Sequence, residues 1–167
     1  MADKKVLVVF FSATGMTRKA GQAIADALSA AVEEIQEVHP RPADIRGKGW
    51  RNFLNMGYAA SHALTGRAVP IHTAQHDPAD YDLVVIGTPV YAFSLAAPVR
   101  AYLQQYGAKC KEVAFFSTGL ALKPIPRVFQ QMEKACGKAP KAVCSFQADN
   151  VKTGDFLPQV QEFIARL

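Results

Sequence analysis

Cysteine is scarce in this chain, and what there is forms no motif. Cys110, Cys136 and Cys144 contain no C-x-x-C pair, and an odd count does not suit a disulfide framework. None of them has an arginine six positions later, which excludes the C-x5-R loop of small tyrosine phosphatases. Long apolar runs are also missing, and the longest stretches are far too short to span a bilayer. The run from Val6 to Phe11 follows directly on Lys4-Lys5, is too short for a secretory leader and has no small-residue cleavage site. A cytoplasmic protein is therefore expected. No G-x-G-x-x-G and no G-K-[ST] occurs, which argues against a dinucleotide and against a P-loop nucleotide. His39, His62, His72 and His76 are not spaced as a metal set, and no Ser/His/Asp arrangement is visible. Neither a metal nor a catalytic side chain is predicted. An acidic surplus is absent too: 19 Lys+Arg against 14 Asp+Glu give a net charge of +5. That charge is mild. Arg46, Lys48, Arg51 and Arg67 lie around one segment, which reads as a solvated face and not as the dense basic stripe that nucleic acid needs.

What is present is a rhythm. The 167 residues point to one domain over 1–167, and a half-hydrophobic composition is ordinary for a globular fold. Residues 5–11 form an apolar run suited to a strand buried on both faces. Residues 17–31 carry Ala20, Ile24, Ala25 and Leu28 at helical spacing. A weakly alternating stretch, 32–38, suits an edge strand. Further strands are expected at 83–87, 113–116 and 143–146. Helices are expected at 96–106, 124–136 and 155–167, with Gly137 as a stop for the second. Cys110, between Lys109 and Lys111, reads as an exposed loop thiol whose neighbours could lower its pKa. An additional helical segment is expected at 46–70, with Trp50, Phe53, Leu54, Tyr58 and Leu64 on one face. It would cover one sheet face, close over a ligand or dock a partner.

Strands alternating with helices argue for a parallel sheet covered on both faces. Ligands of such sheets bind beyond the carboxyl ends of the strands, where the strand order reverses. The loop after the first strand reads Ser12-Ala13-Thr14-Gly15-Met16-Thr17. A helix N-terminus offers free amides and a partial positive charge to an anion. Gly15 permits a tight turn, and Ser12, Thr14 and Thr17 offer hydroxyls to phosphate oxygens. An ordinary helix cap with spare hydroxyls is the alternative. Without a lysine inside it, the loop fits a terminal monophosphate. The third strand ends in Thr88, where response regulators of this topology carry an acceptor aspartate.

With these residues the chain resembles the flavodoxin family. Ser12, Thr14, Gly15 and Thr17 fill the family's [ST]-x-T-G-x-T pattern. "IGTPVYAFSLAAPVRAYL", from Ile86, is similar to its second loop and following helix, and "FFSTGLALKP", from Phe115, to its third loop. The resemblance implies a three-layer α/β fold, with a five-stranded parallel sheet of order 2-1-3-4-5. It also implies FMN as cofactor. The first loop would hold the phosphate. Thr88, Pro89, Val90, Tyr91, Ala92, Phe93 and Ser94 would flank the isoalloxazine, with Tyr91 or Phe93 stacked on it. Ser117, Thr118, Gly119 and Leu120 would offer backbone groups to its pyrimidine edge. Two departures stand out: the chain is basic where electron-carrier flavodoxins are acidic, and residues 117–123 contain no aromatic. Residues 88–94 also contain no glycine, so positive φ is expected to be costly there. The implied function is electron transfer, with a redox partner protein or a small-molecule electron acceptor. An FMN-dependent NAD(P)H:quinone-type reductase and a cofactor-free interaction module are the alternatives. A monomer or weak dimer is expected.

Overall fold

The computed structural model describes residues 4–39, 65–66, 68–121 and 123–167. Strand β1 (Val6–Phe10) lies inside the sheet, and every one of its side chains is apolar and buried. Helix α1 (Met16–Leu28) returns antiparallel to it, and β2 (Ala31–Glu34) forms the edge. Strand β3 (Leu83–Tyr91) runs four residues past the expected end and folds back through a two-residue strand, β4 (Ser94–Leu95). Helix α2 (Ala97–Tyr106), β5 (Glu112–Gly119), α3 (Pro126–Cys136) and β6 (Val143–Gln147) follow. Two prolines introduce α3, and Gly137, at φ 74°, ends it.

The parallel strands are ordered β2-β1-β3-β5-β6, which in sequence numbering of the parallel strands is the expected 2-1-3-4-5. The five expected parallel strands are joined by a sixth, β4, which pairs antiparallel with the end of β3. Period-two alternation sorts the side chains onto two faces. Leu7, Val9, Val84, Ile86 and Phe115 pack against α2 and α3. Val8, Phe10, Val85 and Phe116 pack against α1 and the C-terminal helices. Gly21 lets α1 lie on β1, since a Cβ there would collide with the Phe10 ring.

One expectation changes, and one short helix is added. A short helix that was not expected, α4 (Ala148–Thr153), ends at Gly154, where φ is 95°, and the closing helix expected at 155–167 is α5 (Leu157–Ile164). Cys110 is not an exposed thiol. It follows a short 3₁₀ turn that turns its side chain into the core, while Lys109 and Lys111 point outward to Asp77 and Asp82. Burial, not the lysines, dominates, and pushes the thiol up to about 12. Cys136 and Cys144 are buried as well. The helical segment expected at 46–70 lies almost wholly outside the described residues.

Candidate cofactor site

The order of strands reverses between β1 and β3, so their carboxyl ends open a crevice there. The loop after β1 lies at one side of this crevice. Its turn is made by Gly15, at φ 89°, which serves as the N-cap of α1. A side chain at that φ would be strained, although space for a Cβ is open. Ser12 Oγ accepts from the amides of both Gly15 and Arg18, each at 3.1 Å. Among the described residues its own proton has no acceptor and stays free to donate. Lys19 N donates to Gly15 O, so the first helical turn leaves the amides of Met16 and Thr17 without an acceptor among the described residues. Ala13 and Thr14 are exposed at the tip. The Thr17 side chain is different: it is 1% exposed, and its hydroxyl is hydrogen-bonded to that of Thr118 at 2.8 Å.

The second loop is a hairpin. Tyr91 pairs with Ser94, and Ala92 and Phe93 form the two-residue turn between them. Both sit at positive φ, 47° and 60°. A two-residue hairpin of this hand needs positive φ at both central positions, and usually Asn-Gly fills them. The expected resistance to positive φ is thus overcome here: strand pairing imposes it without a glycine. Phe93 stands 68% exposed at the tip, and Tyr91 is half-buried. Thr88 is fully buried. Its Oγ1 donates to Pro89 O and accepts from Ala96 N, which ties the hairpin to the start of α2. Gln131, on α3, holds the other side: its Oε1 accepts from Leu95 N at 3.2 Å, and its Nε2 donates to Ser94 Oγ at 3.3 Å. Nothing in the local sequence marks Gln131 for this work, because the partner lies a helix away.

The third stretch, Ser117 to Gly119, is the end of β5 and not yet a loop; Pro89 and Thr118 are paired across β3 and β5. The Ser117 hydroxyl turns to Ser145 at 2.8 Å, and Thr118 turns to the opposite face, towards α1. Gly119 backs onto Val90, and Leu120 is 82% exposed. The structure therefore brings three stretches to one edge, with exposed apolar side chains at Phe93 and Leu120. The side chains of Thr17, Thr88, Ser117 and Thr118 are engaged within the protein.

Arg18, next to the cradle, is held by Glu34 through two bonds of 2.8 and 2.7 Å, which raises its pKa above the usual arginine range. With Arg18 engaged, the donors that the first loop offers an anion are neutral: two amides left free among the described residues, the Ser12 proton and the exposed Thr14 hydroxyl. Neutral donors at one end and uncovered apolar side chains at the other fit a flat ring system carrying a phosphate.

Comparison with known proteins agrees. A model of the flavodoxin family matches residues 5–147. Among solved structures, a flavoprotein of Lactobacillus acidophilus in complex with FMN superposes with a TM-score of 0.71 at 22% identity, over 91% of this chain and 97% of that one. A candidate flavoprotein of Bacteroides uniformis gives a TM-score of 0.68 at 21% identity, over 91% and 97%. One of Bacteroides eggerthii gives 0.67 at 20%, over 93% and 98%. No curated protein sequence matches significantly. With the family match covering most of its length, and the fold shared with these flavoproteins, the chain belongs to the flavodoxin family.

Proposed function

We propose that this protein is an FMN-binding electron-transfer protein built on one flavodoxin-like domain. FMN is the cofactor; when bound it supplies the redox chemistry, and the protein orients it and sets its environment. The observation that carries the reading is the cradle at the switch point, where Ser12 Oγ fixes the amides of Gly15 and Arg18 and those of Met16 and Thr17 have no acceptor among the described residues. Bonds from amides to a charged group are worth about 1.5–3 kcal/mol each. In this reading Ser12, Ala13, Thr14, Gly15, Met16 and Thr17 form the phosphate end, with Met16 and Thr17 acting through their amides. Pro89, Val90, Tyr91, Ala92 and Phe93 flank the ring. Of the two aromatics, Phe93 is the better placed to stack, since Tyr91 is half-buried and engaged in the hairpin. Gly119 and Leu120 meet the pyrimidine edge through their backbone, while Thr88, Ser117 and Thr118 brace the site from inside.

Among the described residues no helix is long and apolar enough to cross a membrane. The reading places the protein in the cytoplasm, as a monomer or weak dimer that works with a redox partner protein or a small acceptor. The net charge of +5 favours one rival, because a basic chain does not suit docking on a basic reductase. That rival is an FMN-dependent NAD(P)H:quinone-type reductase. Titration with FMN, riboflavin and FAD tests the site, and FMN is expected to bind most tightly. Binding of none of the three would refute the reading. Quinone reduction with NADH or NADPH alone would favour the reductase over the carrier.

A further inference from the structure

The hydroxyls of Thr17 and Thr118 meet at 2.8 Å although 101 positions separate them in the chain. Both side chains are buried, at 1% and 3% exposure, and among the described residues each hydroxyl has only the other as partner. A buried hydroxyl deprived of its partner is costly, so each residue holds the other in place. Thr17 lies in the first turn of α1, and its own amide is one of the two left free. Thr118 lies on β5, on the face that also carries Phe116 and packs against α1. The residue before this turn, Gly15, is the most permissive point of the loop. The bond therefore ties the first turn of α1, next to the free amides, to the end of β5.

We propose that Thr118 is a positioning residue for the cofactor's phosphate: through Thr17 it aims the amides of Met16 and Thr17, without touching the ligand. The inference rests on the FMN reading above and adds to it. The resemblance gives the backbone of Thr118 to the pyrimidine edge; in this inference its side chain serves the phosphate end as well. Phosphate affinity is therefore governed from the strand whose end lies at the ring.

The test compares FMN with riboflavin, which shares the ring and lacks the phosphate, using flavin fluorescence on the full chain. Thr118→Val keeps the volume and removes the hydrogen bond. It is expected to weaken FMN about tenfold, the effect of misaligning a single strong donor, while riboflavin changes less than about threefold. Thr118→Ser, which restores the hydroxyl, is expected to recover FMN affinity to within about twofold. In a Thr17→Val background the further change Thr118→Val should alter FMN binding less than about twofold, since the bond is already gone. If Thr118→Val does not fold, Thr118→Ala carries the same comparison. Equal weakening of FMN and riboflavin, or unchanged FMN affinity, would overturn this inference alone. A parent protein that binds riboflavin as tightly as FMN would overturn the phosphate cradle itself, and the inference with it.

Discussion

The hairpin tip offers a measurement in which strain and binding separate. Ala92 and Phe93 hold φ of 47° and 60° in a two-residue turn. For a residue with a Cβ, the left-handed region costs roughly 1–2 kcal/mol. Ala92→Gly removes that cost and adds about 0.4–1 kcal/mol of unfolded-state entropy. Ala92 is exposed, so no packing is lost. The net is a stabilisation of about 0.5–1 kcal/mol, which for a domain of this size raises Tm by about 1–4 °C. Phe93→Asn keeps a residue that tolerates the same φ and deletes the ring. The ring is 68% exposed, so the apo protein should hold or gain stability. Its flavin affinity should fall, because an aromatic stack contributes about 0.5–1.5 kcal/mol, or roughly two- to twelvefold in Kd. Urea melts of the apo protein and flavin titrations of both variants give the two readouts. Destabilisation by Ala92→Gly of more than about 0.5 kcal/mol would show that the turn stores no left-handed strain.

Other expectations follow from the same contacts. Thr14→Val should weaken FMN about tenfold and leave riboflavin nearly unchanged, as titration of both ligands would reveal; equal losses would remove Thr14 from the phosphate. Gln131→Leu leaves Leu95 N without its acceptor, so chemical denaturation should register a loss of about 1–3 kcal/mol. Burial raises Cys110 to about 12 and Cys144 to about 11. A folded-state thiol pKa above its unfolded value means that stability is fully present below about pH 8.5, the unfolded value. It then falls as pH rises, by about 1.4 kcal/mol per unit for each thiol until its folded pKa is reached. The urea midpoint should drop between pH 8.5 and 10, and less steeply in Cys110→Val; a flat profile would contradict the burial. In the native protein at pH 8 the thiols should resist alkylation, and denaturant should expose them.

Much of this architecture is legible in local sequence because its determinants are local. The apolar run of β1, the helical spacing of Ala20, Ile24 and Ala25, and the stop at Gly137 are short-range signals, and they appear where expected. Gly154 is such a signal as well: it ends α4 at positive φ with no partner from elsewhere. The polar turn from Ser12 to Thr17 is readable for the same reason: Ser12, Gly15 and Arg18 make their contacts within one loop.

The chain's own order of residues thus determined the strand rhythm, the two-faced core and the placing of a glycine and hydroxyls at the mouth of the sheet. Backbone hydrogen bonding and apolar burial act over a few residues, and periodicity records them directly. Tertiary structure alone decided which hydroxyls stay free. Thr17 meets Thr118, Ser117 meets Ser145, and Gln131 meets Ser94 and Leu95, each across separate elements. It also turned Cys110 inward between two outward lysines, and drove Ala92 and Phe93 to positive φ by pairing Tyr91 with Ser94. A buried donor must find a partner wherever packing brings one, and a two-residue connection must take the φ that the strands impose. Neither requirement leaves a mark at the residue that obeys it.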